Sequence, residues 1–217
     1  PRDIVSGDFY WFNQLDKKLF LLCADSTGHG VPGAFMSIIG ITLIKDICNS
    51  NPTFTPAMML DKLDLELQNT INQNQLADKS SDGMDASLME LDLETLQVKV
   101  STAMRPVIYF HKGQMQMIEG SKSTIGSTPS LKMKKEFTEH TMKLAKGDTL
   151  YLFTDGITDQ FGGPTNKKFK VNKLKALLNE IHNKPMVEQK EIIEEIFRIW
   201  KGEHDQLDDV LMIGLRL

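Results

Sequence analysis

The chain opens on two short apolar runs of strand character. FYWF at 9–12 and LFLLCAD at 19–25 are separated by the polar NQLDKK, a connection of hairpin size, and both read as buried strands. The pattern then changes in GHGVPGAFMSIIGITLIKDIC. Gly28 and Gly30 permit a tight turn, Pro32 suits the first turn of a helix, and apolar residues continue for about four turns, which predicts a buried helix. Thr55 followed by Pro56 is a cap and first-turn signal. Leu60, Leu63, Leu67 and Ile71 then recur at helical spacing opposite a polar face, predicting a second, amphipathic helix.

The polar stretch NQNQLADKSSDGMD predicts a loop that joins this half to a second, sheet-forming half of one domain spanning 1–217. From 86 to 118 the period returns to two: ASLMELD, LQVKVSTA, PVIYFHKG and QMQMI, split by short polar turns, predict an antiparallel meander. DTLYLFTD at 148–155 predicts a strand ending in an acidic turn, and helical segments near 171–182 and 186–200 precede a last strand, VLMIGLRL. Strands in hairpins with helices inserted in pairs argue for an α+β fold. The expected architecture is a four-layer αββα sandwich, two mainly antiparallel sheets each flanked by a helix pair.

Composition narrows the function. Lys and Arg number 25 against 29 Asp and Glu, a net charge of -4, so the chain lacks the basic excess of a nucleic-acid binder. The two cysteines, Cys23 and Cys48, form no Cys-x-x-Cys or Cys/His cluster of the kind that holds zinc or a redox pair, which fits a reducing, cytoplasmic setting. No run approaches the ~20 consecutive apolar residues of a membrane span, and PRDIVSGDFYW has no secretory apolar region. Without an initiating Met the chain reads as the C-terminal catalytic part of a longer signalling protein, whose upstream sensor or membrane tether lies outside it. The 12 methionines read as flexible core filling.

Acidic residues at strand ends and turns carry the candidate chemistry: Asp8 in SGD, Asp25 in AD, Asp155 in TDG, and Asp208 and Asp209 in LDD. Strand-end carboxylates can converge, and hard divalent cations such as Mg²⁺ or Mn²⁺ take oxygen ligands of this kind. Two such ions can share a water, lower its pKa and clamp a phosphoryl oxygen for in-line attack. Each aspartate taken alone reads first as turn or cap chemistry.

Taken together, VSGDFYWF, ADSTGHGVPGAFMS, DGMDASLMELD, GDTLYLFTDGITDQFGG and LDDVLMIGLRL, in this order and spacing, resemble the metal-dependent protein phosphatase (PPM) family. The branch they resemble is the bacterial sporulation stage II and sigma-regulator type, over essentially the whole chain. The resemblance implies a serine/threonine phosphatase with two Mn²⁺ or Mg²⁺ ions and no protein nucleophile. It implies metal contacts by Asp8 and Asp25, Asp25 bridging, with the backbone carbonyl of Ser26 where many relatives have Gly. Asp155 is the expected ligand of the DG turn. Asp208 is the preferred ligand of the acidic pair, with Asp209 supporting it or capping the turn.

Several further residues keep two readings. Gly28 and Gly30 suit a backbone packed against a metal cluster or a plain helix-start turn. His29 has the unperturbed pKa of a general acid but reads as structural or supporting, and Asp159 as a supporting partner or a surface acid. Asp82 and Asp85 lie near where some relatives place a ligand for a third metal, yet read as solvated loop residues. Many eukaryotic relatives hold the substrate phosphate with an upstream Arg. Arg2 lacks a secure spacing for that role, and Arg105, between strands in AMRP, reads as an exposed turn residue.

The resemblance implies a phosphorylated protein substrate, such as a small anti-sigma antagonist in partner switching, and no nucleic acid. Relatives often couple activity to helix rearrangement beside the metal site, so a homodimer is compatible with the segment from 33 to 74, the corresponding helical pair. The competing reading is a regulatory binding module that keeps the phosphatase fold with little or no activity.

Overall fold

Residues 1–73, 83–127 and 135–217 are described by a computed structural model of the chain. In order, the elements are β1 (Asp8–Leu15), β2 (Lys18–Ser26), α1 (Gly30–Ser50), α2 (Pro56–Gln73), β3 (Met84–Asp92), β4 (Gln97–Ala103), β5 (Val107–His111) and β6 (Gln114–Ile118). They continue with β7 (Glu139–Lys143), β8 (Thr149–Phe153), α3 (Gly156–Asp159), β9 (Phe161–Gly162), β10 (Lys167–Lys168), α4 (Lys170–Ile181), α5 (Met186–Lys201) and β11 (Met212–Arg216). One sheet runs β1-β2-β3-β4-β7 and a second β11-β8-β5-β6, with every described pairing between named strands antiparallel.

Strand alternation sorts the core into three layers of contact. Phe20, Leu22 and Ala24 of β2 pack with Ile44 of α1 and Leu60, Leu63 and Leu67 of α2. Leu21 and Cys23, on the opposite face of β2, meet Leu150 and Leu152 of β8 between the two sheets. Tyr151 and Phe153 then face Leu174 and Leu178 of α4, with Phe197 of α5 packed against them. This is the expected αββα sandwich, each sheet burying one face on a helix pair and the other on its partner sheet.

The expected meander at 86–118 divides between the sheets. β3 and β4 pair in the first, whereas β5 and β6 form a hairpin in the second, and the chain crosses over at Met104, Arg105 and Pro106. Period-two alternation specifies faces, not which sheet a strand joins. The β1/β2 turn also tightens from six residues to Asp16 and Lys17, because pairing continues through polar Asn13, Gln14 and Lys18, and Asp16 accepts a left-handed φ of 50°. Most of the expected loop before β3, residues 74–82 including Asp82, lies outside the described residues.

α1 is less buried than its sequence predicts. At 21 residues it is long and apolar enough, by length and composition, to cross a bilayer. Its inner side instead packs on the first sheet through Ile44, Ile47 and Cys48, while Val31, Phe35 and Ile38 remain more than half exposed. Its first turn fits closely over the SGD segment: a Cβ on Gly33 would lie 2.3 Å from the Gly28 carbonyl oxygen and 2.9 Å from Gly7 Cα.

Leu63 of α2 is fully buried among these side chains. Leu63→Ala is therefore expected to lower unfolding free energy by about 2–5 kcal/mol in a urea titration, the range for a large core truncation. A loss below about 1 kcal/mol would contradict the packing described.

Candidate metal centre

Three aspartates form a cross-strand row. Register pairs Asp8 of β1 with Asp25 of β2, and Asp25 with Asp85 of β3. Directly opposed residues on neighbouring antiparallel strands project from the same face with Cβ atoms ~5 Å apart. Asp25 shares its parity with Leu21 and Cys23, so the row points into the space between the sheets, at one end of the sandwich.

The second sheet brings its own acids to this end. β8 runs into Thr154, whose hydroxyl donates to Asp8 Oδ2 at 2.6 Å, and then Asp155, which starts α3. Asp208 precedes β11 and accepts the backbone N–H of Asp209 on Oδ1 at 2.8 Å. Asp208 lines an open cleft of ≈ 420 Å³ together with Asp25, Ser26, Gly28, His29 and Asp85. A cavity of ≈ 480 Å³ between α5 and β11 is lined mostly by apolar side chains and by none of these carboxylates.

Asp209 is buried and supports the centre from behind. Its carboxylate accepts the backbone N–H groups of Arg2 at 2.6 Å and Gly7 at 2.8 Å, fixing the segment that delivers Asp8. Gly156 closes against the same turn, since a Cβ there would lie 1.8 Å from the Asp209 carbonyl oxygen. Ser26, next to Asp25, is also buried, and Gly28 at the cleft holds a φ of 88° that favours glycine. His29 Nδ1 lies 2.8 Å from Asp3 Oδ2 at the exposed rim.

Two sequence readings are corrected. Asp85 belongs to β3 and is largely buried, not a solvated loop residue. Arg105 is no exposed turn residue: its guanidinium meets Asp85 at 2.7 Å, Asp155 at 2.8 Å and Asp25 at 3.1 Å, with side-chain exposure of 16%. A cation two residues past a strand and followed by proline was the available signal, but only the crossover shows where it points. Asp159 pairs with Lys168 at 2.6 Å on the surface, in keeping with its surface-acid reading. Arg2 Nη1 donates to the Leu207 carbonyl at 2.9 Å and makes no described contact with the acidic row.

One guanidinium, on Asp25, Asp85 and Asp155, is the countercharge of this acidic end, and burial beside other carboxylates disfavours the ionised forms of Asp8, Asp25, Asp85 and Asp208. Burial pushes Asp8 up to about 7 against the Thr154 hydrogen bond, with Asp209, Asp208 and Asp155 adding to the rise. Burial and the nearby Asp155 and Asp8 carboxylates push Asp25 up to about 8 against Arg105. Asp85 and Asp208 are raised as well, again chiefly by burial. The surplus of hard oxygen donors, with Asp85 Oδ1 buried and lacking a hydrogen-bond partner among the described residues, suits divalent cations.

The family model described as stage II sporulation protein E (SpoIIE) matches residues 15–217. The chain belongs to the SpoIIE family. It is a PP2C-type phosphatase domain, the class its motifs resemble. Among solved structures, the SiaA PP2C domain of Pseudomonas aeruginosa is 28% identical with a TM-score of 0.88, covering 100% of this chain and 83% of that one. The RsbU and RsbW domains of a Mycobacterium tuberculosis protein match at 20% identity and TM-score 0.74, over 99% of this chain and 56% of theirs. RsbX in complex with magnesium matches at 17% identity and TM-score 0.65, over 97% of this chain and 86% of that one. The latter two bear on the fold alone, and no curated protein matches in sequence. Asp8 precedes the residues matched by the SpoIIE model, and in this SpoIIE-family domain its place rests on pairing with Asp25.

The raised acids set a pH dependence for the metal-free domain. An acid held above its ordinary value of 3.8 stabilises the fold fully below that pH, and the contribution is lost as pH rises through about 7 for Asp8 and about 8 for Asp25. In EDTA the melting temperature is expected to fall from about pH 5 to about pH 8, and to fall less in Asp25→Asn. Scanning calorimetry in matched buffers checks this; a native chain that gains stability across that range would contradict it.

Proposed function

We propose that this SpoIIE-family domain hydrolyses phosphoserine or phosphothreonine on a regulatory protein. In this reading two Mn²⁺ or Mg²⁺ ions are held by Asp8, Asp25, the Ser26 carbonyl, Asp155 and Asp208. One observation carries it: the cross-strand row and the two acids of the second sheet bring carboxylates to one end of the sandwich, where Arg105 joins Asp25, Asp85 and Asp155. RsbX, a neighbour in fold, was solved with magnesium, which supports the choice of ion.

Bound divalent cations would polarise an attacking water and the phosphoryl oxygens, so that hydrolysis needs no covalent protein intermediate. The chain's part is placement. Asp25 occupies the middle of the row, Thr154 fixes the Asp8 carboxylate through Oδ2, and Asp209 ties the Asp8 segment to the turn bearing Asp208. Cys23 is no nucleophile, because burial and the nearby Asp8 and Asp25 hold its thiol well above the usual range. The acids lie at an open end of the sandwich, which leaves room for a phosphorylated side chain presented by another protein.

The RsbU and RsbW domains share one chain in the M. tuberculosis neighbour, which supports a partner-switching protein such as a small anti-sigma antagonist as the substrate. Cys23 and Cys48 are buried free thiols, in keeping with a cytoplasmic setting.

Turnover of a phosphoserine peptide tests this reading. The native chain is expected to be active with Mn²⁺ and inactive in EDTA, and Asp155→Asn to lose at least about 100-fold in kcat/KM. Equal turnover in EDTA would contradict the mechanism. Partner binding without turnover under any divalent cation would favour the regulatory-module reading.

A further inference from the structure

Arg105 is placed with more care than a turn residue needs. Met104 before it holds a left-handed φ of 65°, and Pro106 after it fixes the backbone and biases Arg105 toward an extended conformation. The Met104 N–H donates to the Ser121 carbonyl at 3.1 Å. A Cβ on Gly120 would lie 1.9 Å from the Met104 carbonyl oxygen, so the neighbouring strand connection closes directly on this peptide. The crossover therefore supplies a rigid base from which the guanidinium enters the carboxylate row.

Its partners divide into two classes. Asp25 and Asp155 are assigned above as cation ligands, whereas Asp85 is not. Nη2 serves both Asp85 and Asp25, and Nη1 serves Asp155. Arginine does not shed its proton in a protein, so this positive charge can leave the oxygens only by moving. The guanidinium and a divalent cation compete for the same Asp25 and Asp155 carboxylates.

We propose that Arg105 is an internal counter-cation of the metal-free centre: divalent ions load by displacing its guanidinium from Asp25 and Asp155, while Asp85 retains it. The inference rests on reading the cluster as a divalent-cation site and adds to it a resident competitor. Arg105 relieves carboxylate repulsion when the site is metal-free and weakens cation affinity by the same interactions. Asp85 serves as its parking position in both states, and the ≈ 420 Å³ cleft beside it gives the side chain room to turn.

The test is calorimetric titration of Mn²⁺ into the native chain, Arg105→Gln and Arg105→Lys, with the melting temperature of each in EDTA. Arg105→Gln is expected to bind Mn²⁺ at least about tenfold more tightly and to melt lower without metal, since it removes one positive charge from beside two ligand carboxylates. Arg105→Lys, a point charge unable to span three carboxylates, is expected to fall between, and decides the matter if Arg105→Gln does not fold. Unchanged or weaker Mn²⁺ affinity in the substituted chains overturns the inference while leaving the cation site standing. The same holds if Mn²⁺ affinity is unchanged and inorganic phosphate binds the loaded variant less tightly, which would assign Arg105 to the substrate instead. No Mn²⁺ binding by any of the three chains would remove the cation-site reading and the inference with it.

Discussion

Repulsion among half-buried carboxylates is the constraint on which this structure turns. A protein does not gather Asp8, Asp25, Asp85, Asp155 and Asp208 at one end of a sandwich with one guanidinium among them for stability, because each ion taken from water without a full complement of countercharge is costly. The fold nevertheless enforces the gathering. Antiparallel register places three of them in one row, and the parity of β2 leaves Asp25 no other face than the one shared with Cys23 and Leu21. The raised pKa values of Asp8, Asp25, Asp85 and Asp208 are the electrostatic signature of that compulsion.

The surrounding structure makes sense as support for this arrangement. Each sheet buries one face under helices and one under the other sheet, so the strands are held firmly along their length and can present charged ends. Asp209 spends its carboxylate on backbone N–H groups and thereby locks the start of the chain to the turn before β11. Gly7, Gly33 and Gly156 allow backbones to approach where any Cβ would collide. Membership of the SpoIIE family fits a scaffold of this kind, in which function resides in the ends of strands more than in any single reactive side chain.

Much of this was legible in the sequence, for identifiable reasons. The β1/β2 hairpin and the amphipathic α2 show clean periods, and the SGD, AD and LDD motifs mark strand ends where acids can converge. The resemblance then named Asp8, Asp25, Asp155 and Asp208 as the acids to expect at a metal site. What escaped was long-range. β7, EHTMK, has too little apolar character to stand out and exists because Val98 and Val100 of β4 offer it an edge. The split of the meander, and with it the entry of Arg105 into the acidic row, depends on which sheet β5 joins. Asp85 looked solvated because a polar loop precedes it, although its register opposite Asp25 removes it from water. Helix α1 looked wholly buried because its apolar residues encircle it, while the sheet covers only one side.

Crystals grown with Mn²⁺ and measured at the manganese absorption edge would test the central claim most directly. The account predicts anomalous peaks between the carboxylates of Asp8, Asp25, Asp155 and Asp208, with Arg105 withdrawn from Asp25 and Asp155 toward Asp85. Manganese bound elsewhere, with Arg105 still joined to all three aspartates, would contradict it.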